Sequence, residues 1–525
     1  MLPCQVFSDN CAQLTGACRL WRATGRGVLS VGALVVLAGT GAEAQSLKNA
    51  MIAAYRHNPG LQSQRYKARA SDEAVPRALS GYRPRLVGDA YYGGTTDRHA
   101  IGGPGSLQQT YGYGLKIEQP LFDGFQTRNG VLEAEAGVRA SRHELKAREN
   151  EILLQTAGAY LDVLRDEGIV LYRRKSLTSL KRELVAARER LGRGQVTQTD
   201  LEQARQRLSI AQSDLAKATG ALEVSGLRFA RIVGEAPRSL HLPGLPRRLM
   251  PANRRAAAEQ ALGESPIIAA AREKLEAAGH AVERVRGELL PSATLAGGYD
   301  RASNPSGTLR DEDGFSIMGR LRVPLYQGGE VSARVRQARQ SASVLDREAE
   351  DVRLVVGEAV GAAWAELTTA KEREKLEEAA IDAAEKALAG VREEQRHGQR
   401  TLVAVLDAER ELVEARIRIL NTRRDLHVSA YALLRAIGNL TVASIAPDAE
   451  QYDPRAYYRQ VRNKWWGTST PDAGGDGFLG NRAPQGGRLP PPAALNGPKV
   501  PAVEANGWTT EVSDHRATRA AVRTH

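Results

Sequence analysis

The sequence predicts a mostly α-helical chain with four β-strands, the strands belonging to a membrane β-barrel that several copies share. Three observations predict it. The 525-residue chain is written twice, at a nearly constant offset of 204 residues. Each copy contains a helical pattern of about 70 residues followed by one of about 35. Each copy also carries two short segments that alternate apolar and polar residues, behind an N-terminus that reads as a secretory signal.

The N-terminus comes first. Arg19, Arg22 and Arg26 precede the short apolar run "GVLSVGALVVLAGTGAEA" at 27–44, which ends in Ala42-Glu43-Ala44 before Gln45. A positive region, an apolar region and small residues at the cleavage point define a signal peptide, here 1–44 with cleavage between Ala44 and Gln45. The run is too short for a spanning helix of about 20 residues. Cys4, Cys11 and Cys18 all precede it, so a chain starting at Gln45 has no disulfide framework, no thiolate metal site and no lipid-anchor cysteine. No later stretch reaches 18 apolar residues, so a place in a membrane would be taken by a barrel or at its surface.

The repeat follows. Pro120 pairs with Pro324, Gly124 with Gly328, Tyr160 with Trp364, Gly194 with Gly398 and Gly234 with Gly438, each at 204 residues. Upstream, Pro59 pairs with Pro266 and Pro84 with Pro291, each at 207, which puts the length difference between 84 and 120. The expected first copy is 45–240, with strands about 85–97 and 109–121, a long helix, and a helix after Gly194. After a linker at 241–264, the second copy is 265–446, with strands about 291–301 and 314–325, a long helix, and a helix after Gly398.

The helical arms show their period directly. Leu201, Ala204, Leu208, Ala211, Leu215, Ala218 and Leu222 step by three and four, as do Val405, Ala408, Leu412, Ala415 and Ile419. Leu177, Leu180, Leu184, Ala187 and Leu191 do the same ahead of the first turn. A sustained 3.5-residue period keeps one seam facing a partner helix, and Leu alternating with Ala lets the pair approach closely. An ordinary coiled-coil hairpin accounts for this part equally well.

The alternating segments differ in kind. "QTYGYGLKIEQPL" sets Tyr111, Tyr113, Leu115 and Ile117 against Gly112, Gly114, Lys116 and Glu118. "FSIMGRLRVPL" sets Phe315, Ile317, Leu321 and Val323 against Ser316, Arg320 and Arg322. Soluble hairpins fit the pattern, and so do transmembrane barrel strands. Four strands cannot close a barrel, and an open edge cannot face lipid, so the barrel reading requires several chains. Two copies would give eight strands and three would give twelve.

Other chemistry is sparse. The formal charge of +12 comes with Lys/Arg and Asp/Glu intermixed, as on solvated helix faces, and no basic block with interleaved aromatics supports a nucleic-acid partner. The nine His are scattered singly. The sequence has no Gly-Lys-Ser/Thr phosphate loop and no Gly-x-Ser-x-Gly elbow, so no enzyme activity, cofactor or metal is expected.

The duplicated Pro-Leu-(Phe/Tyr)-x-Gly at 120–124 and 324–328, the Asn58-Pro59 helix start and "GQRTLVAVLDAER" at 398–410 resemble the TolC family of outer-membrane exit ducts, over about 46–446. The resemblance implies a homotrimer, a twelve-stranded barrel in outer-membrane lipid, and a helical tunnel across the periplasm. It also implies docking on a periplasmic adaptor (membrane fusion) protein and an inner-membrane ABC transporter. The tail at 447–467, with "YDP" and "VRNKW", is similar to the type I secretion branch, which implies passive export of a polypeptide such as a repeat-in-toxin protein. Multidrug efflux is the alternative. A secreted coiled-coil structural or adhesive protein is the alternative of another class. Residues 468–525, rich in Pro, Gly, Asn and Ala, read as a disordered extension.

The same resemblance implies a constriction at the two Gly-Gln turns, with Arg400 bridging to Asp200 on a neighbouring hairpin and Asp407 in an acidic ring. The sequence departs from the family at Ala404, where a second ring carboxylate is expected, and at Gln395, where a Tyr is expected. Read from residues alone, Asp200 is equally a helix N-terminal charge beside a Thr199-x-x-Glu202 capping box.

Overall fold

The computed structural model describes residues 45–96, 107–303 and 311–471. The expected signal segment 1–44, with Ala44, and residues 472–525 of the expected extension lie outside the described residues.

The two copies fold to the same plan. The first runs through α1 (Leu47–His57), α2 (Pro59–Asp72), α3 (Ala74–Leu79), β1 (Arg85–Thr96), β2 (Leu107–Phe122), α4 (Gln126–Gly192) and α5 (Gln198–Val233). The second runs through α6 (Arg254–Glu264), α7 (Pro266–Arg286), β3 (Ser292–Ser303), β4 (Asp311–Arg322), α8 (Glu330–Arg396) and α9 (Leu402–Ile437). Helices α10 (Val442–Ile445) and α11 (Ala456–Val461) follow. Both long helices have 67 residues and both shorter partners have 36, so the repeat is kept residue for residue. At 1.5 Å rise per residue each long helix measures about 100 Å.

Local chemistry fixes the helix ends. The Asn58 side chain accepts from the Gly60 and Leu61 N–H groups and donates to the Ile232 carbonyl, with Pro59 in the first helical position. Gly234 and Gly438 end α5 and α9 in the left-handed conformation, each at φ +94°.

Packing follows the Leu/Ala seams. Helix α4 contacts α5, α7 and α9, while α8 contacts α9, α7 and α6. One core gathers Met51, Leu153, Tyr160, Phe229, Ile232 and Leu434, and a second gathers Ala261, Ile268, Val360, Leu367 and Leu433. Tyr160 is fully buried, and its hydroxyl is 2.9 Å from the Gln45 carbonyl and 2.8 Å from that of His241.

The four strands form one antiparallel sheet in the order β1-β2-β3-β4, so the β2–β3 pairing joins the copies. Strand β2 continues through Pro120 to Phe122 over a bulge, because β3 pairs with it there. The last strand, expected at about 314–325, is β4 at Asp311–Arg322, and Pro324 lies outside it. The physical reason is the missing neighbour: among the described residues β4 has no strand on its far side to pair with the residues after Arg322.

The same asymmetry recurs below the sheet. Gly124, at φ +67°, lies so close to α7's end that a Cβ there would sit 2.2 Å from the Gly287 carbonyl oxygen. A Cβ on Gly287 would meet the Gly124 carbonyl at 2.4 Å. The repeat partner Gly328 has nothing within 4 Å of its Cβ position. Leu325 and Tyr326 are 92% and 87% exposed, against 65% and 38% for Leu121 and Phe122. A junction completed inside the chain for the first copy is open for the second.

The tail folds back on the first copy. The Arg65 guanidinium lies between the Tyr55 and Tyr452 rings, at 4.5 and 4.8 Å. Tyr457 donates to Glu73, Arg462 pairs with Glu135, and Arg83 donates to the Lys464 carbonyl while stacking on Trp465. Asp72 is buried beside this region, and burial pushes its carboxyl up to about 6 although Arg142 stands at 3.3 Å.

The Gly124–Gly287 approach gives a direct test. Gly287→Ala is expected to cost about 1–3 kcal/mol, since backbone on both sides cannot yield. Gly137→Ala, in α4 with open space at its Cβ, is expected to gain about 0.5–1 kcal/mol. Thermal unfolding of the two variants checks this, and equal midpoints would refute it.

Candidate functional site

Two places carry organised surface chemistry: the sheet, and the paired hairpin turns at the far ends of the long helices.

The register separates the sheet into two unlike faces. Leu86, Ala90 and Tyr92 of β1 stand beside Tyr111, Tyr113, Leu115 and Ile117 of β2. The same face continues through Leu295 and Tyr299 of β3 to Phe315, Ile317 and Leu321 of β4, with Arg301, Asp313 and Asp311 as charged exceptions toward the β3–β4 hairpin tip. These side chains are exposed, Phe315 by 74% and Ile317 by 70%, which is untenable in water over so large a contiguous area without a cover. The opposite face carries Arg85, Asp89, Lys116, Glu118, Asp300, Glu312, Arg320 and Arg322, with Val87, Tyr91 and Met318 as apolar exceptions. One apolar and one charged face at period two, with aromatics toward one end, is the chemistry of a strand between lipid and a wet lumen. No described helix is long and apolar enough to cross a membrane.

The turns are built alike and finished differently. Gly194 (φ +69°) and Gly398 (φ +74°) each take the left-handed residue that reverses the chain. Helix α5 is capped by Thr197, whose hydroxyl accepts from the Asp200 N–H, while the Asp200 carboxylate accepts from the Thr197 N–H at 2.9 Å and hydroxyl at 2.8 Å. The capping box is therefore Thr197–Asp200, not the expected Thr199–Glu202. The extended cap conformation falls at Thr197 (φ −88°, ψ 161°), and Glu202 pairs instead with Arg205 at 2.6 Å. In the second copy Thr401 caps α9 through the Ala404 N–H, and Ala404 has no side chain to return the bond.

The other candidates are placed as follows. Arg400 pairs with Glu394 across its own turn at 2.7 Å. The Gln395 carbonyl accepts from the Gly398 N–H. Asp407 accepts from Arg207 of α5 at 2.5 Å, with Arg410 at 4.0 Å, so it ties the second hairpin to the first. Among the described residues no ion pair joins Arg400 to Asp200 within the chain. Leu184, Ala187, Leu201 and Ala204 of the first hairpin pack with Leu402 and Leu406 of the second, so the two turns share a small core.

Sequence reasoning missed a ladder of polar links between the hairpins. Buried Glu409 on α9 accepts from Arg392 of α8 and from the Ser179 hydroxyl of α4. Arg173 of α4 bridges Asp214 of α5 at 3.3 Å and Glu414 of α9 at 2.7 Å. Asp162 of α4 takes Arg424 of α9 at 2.8 Å and Arg228 of α5 at 3.7 Å. Exposed pairs contribute about 0–1 kcal/mol each, but removing a partner from a buried one costs about 3–5 kcal/mol. The one available signal was Glu409 itself, a carboxylate four residues from the seam position Val405 and three from Leu412.

Comparison with known proteins agrees with this geometry. The family model described as "Outer membrane efflux protein" matches 53–235 and 257–439, one match per copy. The outer membrane efflux protein BepC of Brucella suis is 35% identical over 440 residues, covering 83% of this chain and 95% of BepC. The alkaline protease secretion protein AprF of Pseudomonas aeruginosa is 24% identical over 329 residues, covering 61% of this chain and 68% of AprF. The solved Campylobacter jejuni CmeC outer membrane channel superposes with a TM-score of 0.69 at 17% identity, covering 79% of this chain and 89% of that one.

Proposed function

Because the chain belongs to the outer membrane efflux protein family, we propose that three copies close a twelve-stranded barrel in the outer membrane and extend it as a helical duct through the periplasm. The observation that carries this reading is the open junction. Strands β1 and β4 each leave one edge unpaired, and α8, Leu325, Tyr326 and Gly328 lack the cover that α4, Leu121, Phe122 and Gly124 find inside the chain. Repeating the inner β2–β3 junction between chains supplies every missing partner at once. A closed barrel is also what lets such strands sit in lipid.

In this duct the protein does no bond chemistry; it is a passive conduit. It docks on a periplasmic adaptor, and an inner-membrane transporter supplies the energy. The paired turns form its periplasmic end. There Asp407 lines the constriction, and Arg400 exchanges Glu394 for Asp200 of a neighbouring chain as the end closes. Asp200 is already engaged by Thr197, and Ala404 contributes no carboxylate, so closure leans on Asp407 and on the links through Glu409.

Two cargo readings follow. Efflux of small solutes has more sequence behind it, through the similarity to BepC over nearly that protein's whole length. Type I secretion of a polypeptide keeps a specific observation in its favour: the 447–467 tail, which packs on α1 to α4, together with the likeness to AprF.

Three outcomes are expected. The repeat register places Met318 opposite Gly93 across the outer junction, so Gly93→Cys with Met318→Cys should give oxidation-dependent covalent multimers in membranes, and neither single variant should. Only monomer from the double variant would refute the shared barrel. Asp407→Ala should weaken block of the reconstituted channel by divalent or trivalent cations several-fold, and unchanged block removes Asp407 from the constriction. Deleting the gene should raise sensitivity to noxious solutes under the efflux reading and abolish release of a secreted protein under the other.

A further inference from the structure

The charged face of the sheet is not uniform along the strands. Taking the end joined to the helices as the base, the register stacks Lys116 nearest the middle, then Arg85 beside Glu118, then Arg320, then Arg322 at the base. Above Lys116, toward the hairpin tips, the same face carries Asp89 and Asp300 side by side, then Glu312. The sign therefore changes midway. Four cations meet one carboxylate in the lower half; in the upper half Asp300 and Glu312 meet no cation among the described residues of that face, while the junction register that sets Met318 against Gly93 sets Asp89 against Arg322 of the neighbouring chain.

Across the outer junction Arg322 faces Asp89 of the next chain, which leaves Arg85, Lys116 and Arg320 to act on what passes. All four cations are exposed, and among the described residues of one chain none is held in an ion pair. At about 3.3 Å per residue the basic stretch is about 20 Å tall, and neighbouring strands lie about 4.8 Å apart. Lys116 and Arg85, one strand and two residues apart, stand within about one Debye length at physiological salt, as do Arg320 and Arg322, while about 16 Å separates the two pairs within a chain. Rings of Arg and Lys select for anions, as rings of carboxylates select for cations.

The geometry points to an anion-attracting collar at the helix-side mouth of the barrel, formed by Arg85, Lys116 and Arg320 of each chain. The collar rests on the duct reading above, since it needs the charged face to be the lumen. It is a specificity-determining element for anionic cargo: an acidic solute, or an acidic stretch of a longer cargo, is drawn up from the helical duct into the barrel. It then meets Asp300 and Glu312 higher in the barrel, which prevent it from lingering. Binding strong enough to recruit but followed by repulsion is what passage, as opposed to capture, requires.

The test uses the full-length protein in planar lipid bilayers. Two readouts serve: the cation/anion permeability ratio in a KCl gradient, and block by tripolyphosphate added on the barrel side, which the probe meets before the helical end. Lys116→Glu with Arg320→Glu should raise the permeability ratio at least threefold and weaken tripolyphosphate block at least tenfold. Lys116→Gln with Arg320→Gln should fall between, and serves if the reversed variant does not insert. Channels of normal conductance with unchanged ratio and block in these variants overturn the collar and leave the duct standing. Failure of the unaltered protein to conduct at all removes the duct reading, and the collar with it.

Discussion

The structure depends on an unpaired backbone. A four-stranded antiparallel sheet has two edges, and each edge strand here is long, regular and apolar on one side. In water such edges invite aggregation; in lipid every unsatisfied N–H and C=O group costs several kcal/mol. Among the described residues no helix or loop covers the outer edge of β1 or β4, and the remaining solution is more sheet. That need propagates downward. In the proposed barrel, strands meeting across a junction would bring the long helices below them into register, with α8 against α2 of the next copy as α4 meets α7 inside one chain.

The helical part has a different logic. Its stability is spread over many small Leu and Ala contacts, with few aromatics, and one hairpin is pinned to the other by ion pairs set at intervals along α4 and α9. A seam of small contacts can slide or unwind locally at modest cost. The buried Glu409–Arg392–Ser179 link is the exception near the turns, because separating it would leave a carboxylate unpartnered in a nearly dry place. The two copies thus share a scaffold and diverge in chemistry where they end.

Much of this was legible in the sequence, for identifiable reasons. A duplicated chain repeats its prolines and glycines at fixed spacing, and a half-lipid, half-wet strand must alternate; both signals are local and periodic. The side-chain faces of β2 and β4 read from Tyr111 to Glu118 and from Phe315 to Arg322 are those the register displays. Three things were not legible. The α5 cap lies two residues earlier than its pattern suggested, because Thr197 and Thr199 compete for the same role and only the turn geometry chooses. The Arg173–Glu414 and Asp162–Arg424 links join residues more than two hundred positions apart, with no periodicity to reveal them. The early end of β4 follows from its having no outer neighbour among the described residues, which no local pattern announces.

The inner junction has a consequence for how such a wall comes together. In a ring built by repeating one seam, duplication makes every second seam intramolecular. Those form at an effective concentration set by the chain's own connectivity, whatever the number of copies in the membrane. A chain with a single copy of the repeat would have to recruit five others before any edge-free ring existed. The duplicated chain needs only two, and each arrives with its own seam already closed. Fewer open intermediates linger with bare edges in lipid, so the duplication acts as much on the reliability of assembly as on the finished wall.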